Sequence, residues 1–119
     1  MRITSQSVRD TLIRALADDY SRKILLGTIS RARSIEELSQ SEHIPISTAY
    51  RRMNELTEVR LVTVEKTILT DEGKKYELYR SSFKGIHMEM SQGEIVLDVN
   101  LNEDVATRLS RLWASMRAA

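Results

Sequence analysis

The chain has 119 residues, of which 41% are hydrophobic and 29% are charged, and its formal net charge is +1. This length predicts one small domain with an accessory helix, and the lack of cysteine excludes disulfides, thiolate metal sites and cysteine nucleophiles. The only histidines are His43 and His87, too few for a multi-histidine metal centre, so we expect neither a metal nor another cofactor.

No stretch approaches the roughly 18 consecutive apolar residues of a membrane span, and the start MRITSQSVRD has no apolar signal core. We therefore expect a cytoplasmic protein with no membrane partner. Basic and acidic blocks alternate along the chain: residues 1–33 carry seven Lys/Arg and three Asp/Glu, whereas residues 34–58 carry two and five. A nucleic-acid function must rest on the placement of these charges, because their sum is close to zero.

Apolar residues in the first third of the chain have helical spacing. Val8, Leu12 and Leu16 predict one helix. Asp18, Asp19 and Ser21 offer a break and a new cap before a second helix through Ile24. The adjacent acidic pairs, residues 18–19 and 36–37, lack the facing geometry of an acid/base dyad and are interpreted as helix-start charges.

A short helix is predicted from Ile35 to Ser41. Ser34 precedes it with Glu37 three residues on, which is a capping-box pattern: the serine oxygen accepts one free backbone N–H and the glutamate reaches back to another. Pro45 then forces a turn, and Ser47 can cap a further helix that runs from Thr48 to about Glu58.

From Leu61 the apolar spacing changes from helical to alternating, which predicts strands. Two hairpins are expected, one turning at TDEGKK (residues 70–75) and one at SQG (residues 91–93). The predicted face of the first strand comprises Val62, Val64, Lys66 and Ile68. Asn102 is expected to cap a closing helix. The apolar residues of that helix are Val105, Leu109, Leu112, Trp113 and Met116.

The segment HIPISTAYRRMNEL (residues 43–56) has one apolar and one polar side. Ile46, Ala49, Met53 and Leu56 recur at spacings of three and four, which predicts a stripe that anchors the helix on its predecessor. Two short helices joined by a tight turn pack as a helix-turn-helix, whose second helix lies in the DNA major groove. The polar side is either a DNA-reading surface or a solvated face on which Glu55 pairs with Arg51. Its candidate contacts are Ser47, Thr48, Tyr50, Arg51, Arg52 and Asn54.

These runs, with LADDYSRKILLGTI before them and LTDEGKKYELY after them, resemble the winged helix-turn-helix of ArsR-like transcriptional regulators, especially the compact archaeal ones. The resemblance covers roughly residues 10–90. It implies that residues 47–58 form the recognition helix and that the next hairpin is a wing whose Lys66, Lys74 and Lys75 contact phosphate. It also implies a homodimer with terminal helices at the interface. Metal-sensing relatives carry cysteines on the first helix of the motif, whereas this chain has IEELSQSEH there, so metal sensing is not expected.

The expected fold class is therefore α+β, a winged helix-turn-helix with an additional β-hairpin and a C-terminal dimerisation helix. The expected domains are residues 1–99, which bind DNA, and residues 100–119. The helix of residues 100–119 either closes the core of its own chain or, in the preferred interpretation, packs against the same helix of a second copy in a homodimer. The expected function is sequence-specific binding of double-stranded DNA by a homodimer at an inverted-repeat operator. The alternative is a winged-helix module that binds other proteins. No catalytic motif is present, and the sequence does not identify a small-molecule effector.

Overall fold

The computed structural model describes residues 1–102, which form an α+β fold of four helices followed by two antiparallel hairpins. The prediction of an α+β class is therefore confirmed. The predicted dimerisation residues, from Val105 to Met116, lie outside the described residues. The elements are α1 (Gln6–Ala17), α2 (Asp19–Gly27), α3 (Ile35–Ser41), α4 (Ile46–Glu58), β1 (Val62–Leu69), β2 (Lys75–Ser81), β3 (Phe83–Ser91) and β4 (Glu94–Leu101).

The first three helices begin at side-chain caps. Ser5, Asp18 and Ser34 each accept a hydrogen bond from the backbone N–H three residues later, which satisfies one free donor at the helix start. The cap predicted at Ser34 is confirmed, and of the three residues that could cap the second helix it is Asp18 that does so. The reciprocal half of the capping box does not form, because the Glu37 carboxylate is instead paired with Arg31 and Arg33.

The turn between α3 and α4 ends one helix and starts the next within four residues. His43 has φ +56°, and the Ile44 N–H donates to the Ser39 carbonyl at 3.0 Å, which is the Schellman closure of α3. Ile44 is buried there, whereas Ile46 is 48% exposed, so the prediction that Ile46 anchors α4 was wrong. The prediction of Ser47 as the cap was also wrong: Pro45 holds that position, without a side-chain hydrogen bond.

The hairpin of β1 and β2 is irregular at one point. Val64 pairs with Tyr79 and Lys66 with Leu78, so Glu65 is an extra residue in β1, a β-bulge. Alternation is shifted at the bulge, and Lys66 and Ile68 lie on the opposite face of the hairpin from Val62 and Val64. The prediction that all four share one face was therefore wrong, because sequence alternation alone cannot locate a bulge.

A single bridge joins this hairpin to the segment before α3. The backbone of Arg33 exchanges both hydrogen bonds with Tyr79, at 3.0 and 2.8 Å, on the free edge of β2. The bridge fixes the start of α3 beside β2.

The hairpin of β3 and β4 confirms the second predicted hairpin, with a two-residue turn at Gln92 and Gly93. Both turn residues have positive φ, as a tight hairpin turn requires. The N-terminal segment pairs with β4, where the Ile3 N–H donates to the Leu97 carbonyl at 2.9 Å. Since β4 continues to Leu101, the expected domain boundary after residue 99 falls inside a strand.

The core lies between the helices and the base of both hairpins. Leu12, Ile24, Leu38, Met53 and Leu97 are among its fully buried side chains. Three residues of the stripe predicted on α4 are buried in this core as expected: Ala49, Met53 and Leu56. Within residues 1–102, no helix is both long enough and apolar enough to cross a bilayer.

Candidate nucleic-acid interface

The outermost side of α4 carries three polar side chains in one row. Ser47, Arg51 and Asn54 are exposed and follow each other at spacings of four and three residues, opposite the buried Ala49 and Met53. The row runs from the first turn of the helix towards its middle. A hydroxyl, a guanidinium and a carboxamide are the groups that form directed hydrogen bonds with base edges.

Arg51 is the unpaired arginine of α4. It makes no ion pair with any of residues 1–102, and the predicted partner Glu55 is 3.4 Å from Arg52 instead. The solvated-face interpretation therefore named the wrong pair. An exposed guanidinium without an internal partner keeps all its donors available for a ligand.

The start of α4 also offers backbone donors. Pro45 at the cap position has no side-chain oxygen to accept from the first turn, and residues 46 and 47 are exposed, whereas Thr48 is half-buried. The amide groups of this first turn thus retain unsatisfied hydrogen-bonding capacity at the positive end of the helix dipole. This arrangement suits an anion such as phosphate.

Tyr50 and Arg52 lie on the two flanks of α4 rather than on its outer row. The Tyr50 hydroxyl donates to Glu36 Oε1 of α3 at 2.5 Å, and the ring remains 44% exposed. This hydrogen bond, followed by partial burial, raises the pKa of Tyr50. Tyr50 is therefore positioned by α3 and borders a cleft that residues of β2 also line.

Arg52 is held by the start of α2. Its Nε lies 3.0 Å from Asp18 Oδ2, and its side chain is only 25% exposed. The same carboxylate accepts from the Ser21 N–H at 2.8 Å. Burial raises the pKa of Asp18, but the hydrogen bonds from Ser21 and the Arg52 guanidinium lower it by more, so the net pKa lies below its usual range. Arg52 is the candidate contact whose donors are already occupied.

The three lysines predicted on the hairpin are all exposed but do not share a face. Lys75 lies on the face of β2 that includes Glu77 and Tyr79, and Lys66 lies on the other face. Lys74 is in the turn, where its N–H donates to the Thr70 hydroxyl at 3.0 Å. The structure thus brings Lys74 and Lys75 together at the tip and separates Lys66 from them.

Sequence reasoning missed Glu36 and Asp18 as the partners that orient the two flanks of α4. Glu36 is 14 residues from Tyr50, and Asp18 is 34 residues from Arg52. Neither pairing has a local spacing signal, because helix-surface pairing rules reach only three or four residues.

No group of three or more His, Asp or Glu side chains is arranged to bind a metal within the part of the chain that the structure describes. Comparison with protein-family models gave no match for this chain, and comparison with curated proteins gave no significant relative.

Proposed function

We propose that this chain is a winged helix-turn-helix regulator that binds double-stranded DNA with sequence specificity. The observation that carries the proposal is the outer row of α4, where Ser47, Arg51 and Asn54 project from a helix whose opposite side is buried. The order of elements supports it: a tight turn joins α3 to α4, and a hairpin whose tip carries Lys74 and Lys75 follows directly.

In this proposal α4 enters the major groove with its first turns leading. Arg51 donates to guanine or phosphate and Asn54 to adenine, while the open amides near Ser47 and Thr48 bind a backbone phosphate. Lys74 and Lys75 at the hairpin tip add phosphate contacts that position the protein without reading sequence. Lys66 contacts phosphate only where the DNA curves round the hairpin, since it lies on the other face.

The proposal gives the two arginines of α4 different roles. Arg51 contacts DNA directly, whereas Arg52 holds α4 against the start of α2 through Asp18. The complete regulator is proposed to be a homodimer that reads an inverted repeat, because two recognition helices about 34 Å apart can occupy successive major grooves. It would act by occupying an operator and blocking or recruiting the transcription machinery.

The test is a selection from random DNA duplexes with the purified protein. We expect enrichment of an inverted repeat, and we expect Arg51→Ala to cost about 1–3 kcal/mol in binding the enriched site and to flatten the preference at one position. Arg52→Lys is the matched control: it keeps the charge, weakens the paired geometry with Asp18, and should lower stability more than base preference.

Two results would overturn the proposal. One is the absence of salt-dependent binding to any duplex, which would favour a protein-binding module instead. The other is a base preference that is unchanged by Arg51→Ala in a protein that remains folded.

A further inference from the structure

A cleft of about 310 Å³ lies between the start of α3, the flank of α4 and strand β2. Its walls contain three tyrosines, Tyr50, Tyr76 and Tyr79, and two glutamates, Glu36 and Glu77. None of the functions proposed above uses this combination. It is also unlike the candidate DNA contacts named above, whose side chains are all basic or neutral.

The fold brings Glu36, Tyr50, Glu77 and Tyr79 together from three elements. The bridge between Arg33 and Tyr79 holds the first turn of α3, including Glu36, beside β2. Glu77 and Tyr79 are two residues apart on one face of β2, so both are directed to the same side of the hairpin, whereas Tyr76 lies on the other face. Tyr50 closes the cleft from α4 and is tied to Glu36 by its hydroxyl.

The two carboxylates in the cleft are bound to phenols rather than to cations. Tyr50 donates to Glu36 at 2.5 Å, and Tyr79 donates to Glu77 at 3.0 Å. Neither glutamate forms an ion pair within residues 1–102. Burial, aided by the bond to Glu77 and its charge, raises the pKa of Tyr79 to about 12, so the phenol stays neutral and donates at physiological pH.

A lysine at the edge of the cleft does not cancel its negative charge. Glu36 and Glu77 contribute −2 and Lys75 contributes +1, which leaves a net charge of −1 on the lining residues. Among residues 1–102, the cation over an aromatic ring is Lys23 above Tyr20, so Lys75 does not cover the ring faces of Tyr50 and Tyr79.

We infer that this cleft binds a small organic monocation, with a quaternary ammonium as the best match. Aromatic faces attract a cation whose charge is spread over methyl groups, and they bind it without the strong dehydration cost of a primary ammonium. Two carboxylates balance the charge, while the size lies at the lower limit of small-ligand pockets. A phosphate or carboxylate ligand would be repelled by the same glutamates, and a metal ion would lack enough oxygen donors on aromatic walls.

The site also borders the surface proposed to bind DNA, and this step rests on that proposed function. Tyr50 precedes Arg51 on α4, and Lys75 lies at the hairpin tip. Glu36 and Glu77 therefore place negative charge close to where phosphates would lie. A bound monocation neutralises that charge and strengthens DNA binding, and by reciprocity DNA strengthens cation binding by the same factor.

The primary experiment is calorimetric titration of the full chain with choline and with its neutral isostere, in which carbon replaces the quaternary nitrogen. We expect saturable binding of choline, and binding of the isostere at least roughly tenfold weaker, because only choline engages the ring faces and the carboxylates through charge. Glu77→Gln and Tyr50→Leu should each weaken choline binding roughly tenfold. Glu89→Gln, an exposed carboxylate on β3, is the matched control and should change nothing.

Equal affinity for the two compounds, no saturable binding of choline, or unchanged binding by the folded Glu77→Gln protein would each overturn the inference. A second arm measures DNA affinity with and without choline, with an expected strengthening of roughly 5- to 150-fold. If choline binds in the first arm but no duplex is bound, the proposed function fails and the cation site stands. If DNA binds but choline does not, only the cation site fails.

Discussion

The two hairpins are attached to the helices by different kinds of interaction. The β1–β2 hairpin is held at its base by buried polar contacts: Ser81 Oγ donates to the Leu25 carbonyl at 2.6 Å and lies 2.9 Å from the Thr28 hydroxyl. The β3–β4 hairpin is held by apolar side chains, among which Leu97 and Val99 are buried. Both strand pairs are antiparallel, so strand direction does not explain why one attachment is polar and the other apolar. The explanation is the part of the helical layer that the base of each hairpin contacts.

The base of the β1–β2 hairpin meets the end of α2, where the last carbonyl groups have no partner inside the helix. Thr28 and Ser81 donate to the carbonyls of Ile24 and Leu25, and Arg80 donates to that of Ile29 at 2.8 Å. The β3–β4 hairpin meets side chains and the N-terminal segment instead. The buried hydroxyls of Thr28 and Ser81 are therefore placed where carbonyl groups at the end of a helix need donors.

The largest expected effect tests the apolar attachment. Leu97→Ala should lower the free energy of unfolding by about 2–5 kcal/mol, because it leaves a cavity at a fully buried position. Met90→Ala at the tip of the same hairpin is the control, since Met90 is 86% exposed and its truncation should change stability by about 0.5 kcal/mol or less. Urea unfolding measures both. Similar losses for the two variants would mean that the tip is also packed in solution.

The polar attachment should respond to loss of a single hydroxyl. Ser81→Ala removes the donor to the Leu25 carbonyl in a buried site, and we expect a loss of about 1–3 kcal/mol. Ser91→Ala, at an exposed position in β3, is the matched control. Thermal unfolding of both variants measures the loss of stability. If Ser81→Ala loses no more stability than Ser91→Ala, the hydrogen bonds of Ser81 do not stabilise the fold.

The hairpin tips should differ in their effect on DNA binding. Lys74→Ala and Lys75→Ala should each weaken binding to all duplexes and reduce the slope of log affinity against log salt by about one. Lys84→Ala, an exposed lysine of β3, serves as the control and should leave the slope unchanged. Affinity measured over a series of salt concentrations provides the test. Equal slopes for all three variants would remove the β1–β2 tip from the interface.

The smallest effect at neutral pH is expected for Tyr79→Phe. Since folding raises the pKa of this phenol from 10.0 to about 12, its contribution to stability is complete below pH 10 and is lost as the pH rises towards 12. The variant should therefore lose less stability than the parent over this alkaline range. Urea unfolding at neutral and alkaline pH compares the two, with Tyr20→Phe, a half-buried tyrosine of α2, as the control. Parallel pH profiles for parent and Tyr79→Phe would contradict the assignment.

Sequence reasoning predicted the features that local chemistry controls. The caps at Asp18 and Ser34, the bounds of α3 and both hairpins follow from rules that span three or four residues. The errors at Ile46 and Ser47 come from one local ambiguity, because a proline can occupy the cap position itself.

The candidate site was predictable only in part, because its flanks depend on long-range partners. The exposed row with Arg51 follows from helical periodicity once the buried side is known. The pairing of Arg52 with Asp18, and the bulge at Glu65, depend on how distant segments pack. The sequence gives Arg51 and Arg52 equal weight as DNA contacts. Tertiary packing makes them different, because it pairs Arg52 with Asp18 and leaves Arg51 exposed.

The bulge at Glu65 makes the direction of the hairpin tip adjustable by a change in chain length. Val64 pairs with Tyr79 before the bulge, and Lys66 pairs with Leu78 after it. The two partners are consecutive residues of β2. Deleting Glu65 would therefore remove a residue, and its ion pair with Arg80, without assigning any strand residue a new partner. Because a bulge bends and twists its strand, the shortened hairpin would point Lys74 and Lys75 along a different line relative to α4. One residue thus controls the angle at which Lys74 and Lys75 approach a ligand.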